Sequence, residues 1–140
     1  MFTIEQYAGK WLDSEDWTDQ RYANAQKLQE ACERLMELAE DAGVVFETNP
    51  ATGSIISGQT LGGFRPQSCA QGAKLSAHKQ ALAVDLYDPS GEIDSWCVAN
   101  SYRGGALEQC GIYLEHPSKT IGWSHWSVQA PRSKNRIFMP

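Results

Sequence analysis

The chain has 140 residues, 41% of them hydrophobic, with 17 acidic against 12 basic side chains and a formal net charge of −5. That length is enough for one core and too short for two stable domains, so a single domain over residues 1–140, acting as a monomer, is expected. An acidic balance with scattered Lys and Arg argues against a nucleic-acid partner, which needs basic residues grouped on one face. The opening Met-Phe-Thr-Ile-Glu-Gln-Tyr has no basic region and no apolar run, and no later stretch reaches membrane-spanning length. No signal peptide, no membrane insertion and a cytoplasmic site of synthesis are expected.

Thr3 followed by Gln6 fits a capping box that opens a short helix. The acidic cluster Asp13–Asp16 interrupts it, and a second helix carries Tyr22, Ala25, Leu28, Cys32, Leu35 and Ala39 on one stripe before Gly43 supplies the stop. From Val44 onward the texture is β-type, with strands expected at 44–48, 54–57, 83–87, 111–115 and 123–129 and a short helix at 92–100. Helices first and strands afterwards predict an α+β domain with a largely antiparallel sheet. Cys32, Cys69, Cys97 and Cys110 form no C-x-x-C pair, so four reduced and mostly buried thiols are expected.

His78 and Asp85 stand seven residues apart, and because alternation begins only near Ala83, a chain reversal must separate them. On the strand, Asp85 shares a face with Ala83 and Tyr87; His125 shares one with Trp123 and Ser127, opposite Ser124, Trp126 and Val128. Two imidazoles and a carboxylate brought together by neighbouring strands would give zinc three protein ligands and leave a fourth position open. A lone histidine in a strand is more often a hydrogen-bonded core residue, so the residues by themselves leave both readings standing.

The segment Ser76-x-His78-x-x-Ala81-x-Ala83-x-Asp85 resembles the S-x-H-x-x-G-x-A-x-D signature of the zinc D-alanyl-D-alanine peptidases, a family that includes VanX-type dipeptidases and phage peptidoglycan endopeptidases. Gly63-Phe64-Arg65-Pro66 looks like that family's G-[FY]-R-[ST]-P segment, and Trp123-Ser124-His125 like its final W-x-H strand. The resemblance implies N-terminal helices on a small sheet, as in DD-peptidase and hedgehog domains. It also implies Zn2+ held by His78, Asp85 and His125, and Arg65 touching substrate beside the metal. Ser76 would support the ligand turn and contact substrate. The reaction implied is hydrolysis of an amide bond next to a D-amino acid in peptidoglycan stem peptides. Without a signal, access to the wall would need a holin, virion packaging or another export route. Arg65 in a surface ion pair and Ser76 as a simple cap are the alternatives for those two residues. Leu114-Glu115-x-Pro117 and Pro131-x-Ser133-x-x-Arg136 further resemble a phage and prophage branch of the family.

Two positions depart from the family pattern. Ala81 replaces a glycine, which is tolerable where the backbone needs no positive φ. Gly122 stands where the family has its catalytic acid, three residues before the last histidine. Glu115 is the candidate replacement: in a hairpin whose Ile112 and Leu114 face the core, Tyr113 and Glu115 face the cleft, Tyr113 as a substrate contact and Glu115 as a proton acceptor. Pairing of Glu115 near Trp123 brings it to the metal face, and pairing near Gly122 turns it away. A catalytically inactive module that kept the zinc site is the second reading, and a cysteine nucleophile paired with His116 or His125 is a third.

Overall fold

The computed structural model describes residues 1–71 and 76–140. Helix α1 (Ile4–Ala8) starts at Thr3, whose hydroxyl accepts from Gln6 N while the Gln6 side chain accepts from Thr3 N, closing the expected capping box. Helix α2 (Asp19–Asp41) follows a turn through the acidic cluster and buries Ala25, Leu28, Ala31, Cys32, Leu35, Met36 and Ala39. Tyr22, expected on that stripe, is exposed instead and meets Trp17 edge-on. It stands at the helix start, before the core begins.

Strand β1 (Ala83–Tyr87), helix α3 (Glu92–Ala99), helix α4 (Ala106–Cys110), β2 (Tyr113–Glu115), β3 (Trp123–Ser127) and β4 (Ile137–Phe138) complete the chain. Among the described residues the strands form one sheet of order β1-β3-β2-β4, antiparallel at β1–β3 and β2–β3 and parallel at β2–β4. This is an α+β fold. Val84, Leu86, Ile112, Leu114 and Trp126 are buried in one core with the α2 stripe, Ile93 and Leu107. Among the described residues no helix is long and apolar enough to cross a membrane.

Two expected strands are corrected. Residues 44–48 form no strand: Val45 is exposed, while Val44 and Phe46 pack on the core with their backbone outside the sheet. Alternation there reflects side-chain packing alone. Residues 54–57 form only isolated bridges, Asn49 with Ser54 and Ile56 with Leu86. They nevertheless cover the free edge of β1, because Ser57 N donates to Asp85 O, Tyr87 N to Ile55 O, and Asp85 N to Gly62 O. The chain turns at Gly58, where φ is +70°, and meets the same edge again at Gly62. Helix α4 and strand β4 are short elements that periodicity does not mark.

The candidate metal centre

The motif around Arg65 has a plain packing logic. A Cβ on Gly63 would run into the Tyr7 carbonyl oxygen, which accepts from Phe64 N, so α1 and this loop close to backbone contact only with glycine present. Phe64 is fully buried with its ring 5.0 Å from Trp17. Arg65, next in line, is thereby fixed at the mouth of the site, its Nε donating to Leu61 O at 2.7 Å.

The reversal between His78 and Asp85 is a 3-10 helix, Ala77–Gln80, ended by Ala81 in the left-handed region at φ 58°. The condition for tolerating alanine there is therefore not met. Ala81 is fully buried and its N–H bonds to His78 O, so surrounding contacts hold a conformation that glycine would adopt without strain. Ser76 is the residue before this helix, and its hydroxyl makes no capping bond; its carbonyl accepts from Lys79 N instead. Its contribution to the turn is through the backbone.

Strand pairing does the rest. In the β1–β3 register Asp85 lies opposite His125, and His78 is delivered to the same point by the 3-10 helix. His125 Nδ1 is 2.7 Å and His78 Nε2 3.3 Å from Asp85 Oδ1, and one donor atom from each of the three lies within 4.8 Å of the others. Ligand atoms on a tetrahedral zinc at about 2.0–2.2 Å are separated by about 3.3–3.6 Å, so the His78–Asp85 spacing matches, the His125–Asp85 spacing must open, and the two imidazole donors already lie close enough for small rotations to bring them onto one ion. On the far side of His78, Nδ1 is 2.9 Å from Gly63 O. A carbonyl only accepts, so Nδ1 carries the proton and the Nε2 of the neutral ring aims a lone pair at the carboxylate. That arrangement is repulsive unless a cation, metal or proton, lies between them. A backbone carbonyl orienting the distal nitrogen is also the usual partner of a metal-binding imidazole. The donor set fits a divalent metal.

Burial works to raise the Asp85 carboxyl, but the facing imidazoles of His78 and His125 outweigh it and hold the group well below the usual carboxylate range. Arg65 Nη2, 3.4 Å from Asp85 Oδ2, sets a guanidinium charge beside this buried anion. Arg65 therefore forms an ion pair, but a largely buried one at the cluster and not the surface pair that was the alternative.

The hairpin register differs from both pairings expected for Glu115, being shifted from Trp123 by two residues along β3, a step that keeps the same face. Tyr113 pairs with Ser127 and Leu114 with Trp126, so the next step sets Glu115 beside His125, with Oε2 3.9 Å from His125 Nδ1. Partial burial raises the Glu115 carboxyl above its ordinary value, with His125 opposing and Asp85 reinforcing the rise. Tyr113, on the same face two residues earlier, has its ring covered by the Arg136 guanidinium at 4.2 Å. The turn before β3 holds Gly122 at φ +92°, with no atom near where a Cβ would stand. A side chain there would be strained, so the local backbone itself differs from one that presents an acid at that position.

Two cavities flank the centre. One, of about 220 Å³, is lined by Glu115, His125, Ser127 and Phe138. The other, of about 180 Å³, is lined by Arg65, Asp85, Leu61 and Trp123. A larger cavity of about 580 Å³ lies between α3 and the β2–β3 connection, against Asp94, Val98 and Ile121, and includes none of the site residues. Sequence reasoning missed two groups that shape the centre. The Gly63 carbonyl carries no side-chain signal, and Phe138, 6.0 Å from the His125 ring at 80°, sits in a two-residue strand. Cys32, Cys97 and Cys110 are buried, which pushes their thiols up and away from the thiolate form, so none of these three is an activated nucleophile.

The chain matches no protein-family model, no curated protein and no solved structure. Its class therefore rests on the site: an α+β domain in which two imidazoles and one carboxylate converge beneath an arginine and a glutamate.

Proposed function

We propose that the protein is a zinc-dependent peptidase acting on peptidoglycan stem peptides, at an amide bond next to a D-amino acid, of the phage or prophage type. The observation that carries the reading is the convergence of His78 Nε2 and His125 Nδ1 on Asp85, with Nδ1–H of His78 turned to Gly63 O. Zinc held there would supply Lewis-acid polarisation of the scissile carbonyl and a water nucleophile of lowered pKa. Arg65, at the edge of the cluster, binds a substrate carboxylate and orients the peptide across the cleft. Glu115, 3.9 Å from His125 Nδ1 and outside the three-residue cluster, takes the proton from the attacking water and returns it to the leaving amine. Ser127, Tyr113 and Phe138 stand on the same face and limit where the peptide lies.

The resemblance of the segments around Arg65, His78–Asp85 and His125 to motifs of the zinc D-alanyl-D-alanine peptidases supports this choice of substrate. Hydrolysis of purified muropeptides is measured with zinc-loaded protein, with a chelated sample, and with Glu115→Gln. The expected outcome is cleavage by the first only, and a fall of about 10²-fold in Glu115→Gln at unchanged zinc content. Cleavage undiminished by the substitution removes Glu115 from the mechanism.

A second reading, a module that holds zinc and captures peptide without cutting it, is favoured by Gly122, which offers no carboxylate where the family has one. Stoichiometric zinc and peptide binding with no turnover of any muropeptide would select it.

A further inference from the structure

The cavity of about 580 Å³ between α3 and the β2–β3 connection shares no residue with the metal centre. Its volume falls within the ~300–1,000 Å³ of pockets that take a small ligand. Asp94, Ser95 and Val98 present one face of α3 to it, at helical spacing, and Pro117, Thr120 and Ile121 face them from the connection. Val98 is 42% and Ile121 77% exposed, so the walls carry apolar surface that the fold leaves uncovered.

Asp94 is the charged member of the lining and is buried, with 4% of its surface exposed. Its Oδ2 accepts from Thr120 Oγ1 at 2.8 Å, and because both residues line the cavity, the carboxylate stands where the two walls meet. Its Oδ1 has no hydrogen-bond partner, and among the described residues no other buried side-chain nitrogen or oxygen is left so. The Ser124 hydroxyl, which accepts from Trp126 Nε1, lies near the Asp94 carboxylate but makes no hydrogen bond of ordinary geometry to Oδ1. Native structures pair nearly every such atom with protein, water or ligand.

The local charge decides what kind of partner fits. Asp88 is buried beside Asp94, both of its carboxylate oxygens being taken by Ile93 N and Asp94 N, so it adds negative charge and no donor. Among the described residues lining the cavity none is lysine or arginine. Burial raises the Asp94 carboxyl and Asp88 reinforces the rise, against the Ser124 and Thr120 hydroxyls, so a cation set on Oδ1 relieves both effects.

We propose that this cavity is a second binding site, for a primary ammonium group on a short apolar stem, the ammonium donating to Asp94 Oδ1 and the stem lying against Val98 and Ile121. A free alkylamine and a lysine side chain of a peptide share that chemistry. The site holds independently of the peptidase reading, since it uses no residue of the metal cluster.

The test titrates the full chain near neutral pH, read by NMR of the backbone amides, with n-pentylammonium, Nα-acetyl-lysine N-methylamide and neutral 1-pentanol as probes. The first presents a free amine and the second a lysine side chain with blocked termini, so the tighter of the two names the source. At least one cationic probe is expected to give saturable shifts at Thr120, Ile121 and Gly122, and to bind at least about tenfold more tightly than 1-pentanol. Asp94→Asn keeps an acceptor for Thr120 and removes the charge. Val98→Lys, at an exposed position, sets a tethered ammonium one helical turn from Asp94. Each is expected to weaken the cationic probe about tenfold or more while metal analysis shows zinc content unchanged, and if Asp94→Asn fails to fold, Val98→Lys decides alone. The site is overturned by the absence of saturable shifts at those amides, by affinity no better than that of 1-pentanol, or by undiminished binding in Val98→Lys.

Discussion

Replacing His78 by alanine separates metal binding from folding, because the two sides of its ring do different work. Nδ1 bonds to the Gly63 carbonyl at 2.9 Å, and Nε2 faces the point shared with Asp85 and His125. For 140 residues the unfolding entropy is about 0.3 kcal/mol per kelvin near the midpoint. Loss of the Gly63 bond costs about 1 kcal/mol, or about 3 °C, in the absence of metal. Zinc at a free concentration 100 times its Kd stabilises the wild-type chain by about 2.7 kcal/mol, which on the same scale is about 9 °C. His78→Ala should therefore melt at least about 3 °C lower than wild type when both are chelated, the space vacated by the buried ring adding to the loss, and should lose nearly all of the further 9 °C rise on adding zinc. Scanning calorimetry at matched protein concentration, with and without chelator, measures both differences, and metal analysis should show one zinc per wild-type chain. A zinc-induced rise in His78→Ala as large as in wild type would refute the ligand assignment. A wild-type chain with no rise at all would refute the metal centre.

Arg65→Lys keeps a positive charge but loses the planar fork that bonds Leu61 O and faces Asp85. Peptide affinity is expected to fall about tenfold with zinc content unchanged, and a loss of zinc instead would make Arg65 a support of the ligands. Ala81→Gly trades relief of a left-handed alanine against greater chain entropy and a lost buried methyl, each about 1 kcal/mol, so stability by urea denaturation should stay within about 1 kcal/mol of wild type. Ala81→Val, β-branched at φ 58° in a fully buried place, should cost more than about 3 kcal/mol, and a mild effect would show that the turn relaxes. A thiol reagent at pH 8 should label the half-buried Cys69 in the native protein and reach Cys32, Cys97 and Cys110 only on unfolding, as peptide mapping would show. Rapid labelling of Cys32 without unfolding would contradict the burial that raises its thiol.

The sequence by itself determined the features that depend on local periodicity and on residue chemistry. The Thr3–Gln6 capping box, the α2 stripe, the span of β1 and the inward turn of Ile112 and Leu114 all follow from spacing of 3.6 or 2, and each stands in the structure. Strand parity likewise set Asp85 with Ala83 and Tyr87, and His125 with Trp123 and Ser127, because the pleat alternates within each strand. What parity cannot specify is register: that Asp85 lies opposite His125, and that Tyr113 pairs with Ser127 and so carries Glu115 to the metal side, depends on which residues of two strands meet. The same holds for 44–48, whose alternating pattern found no partner, and for β4, whose two residues are a strand only because β2 lies beside them. The Gly63 carbonyl and the left-handed turn at Ala81 were decided last, by tertiary packing of α1, the Phe64 loop and the 3-10 helix, since neither leaves a mark in side-chain chemistry.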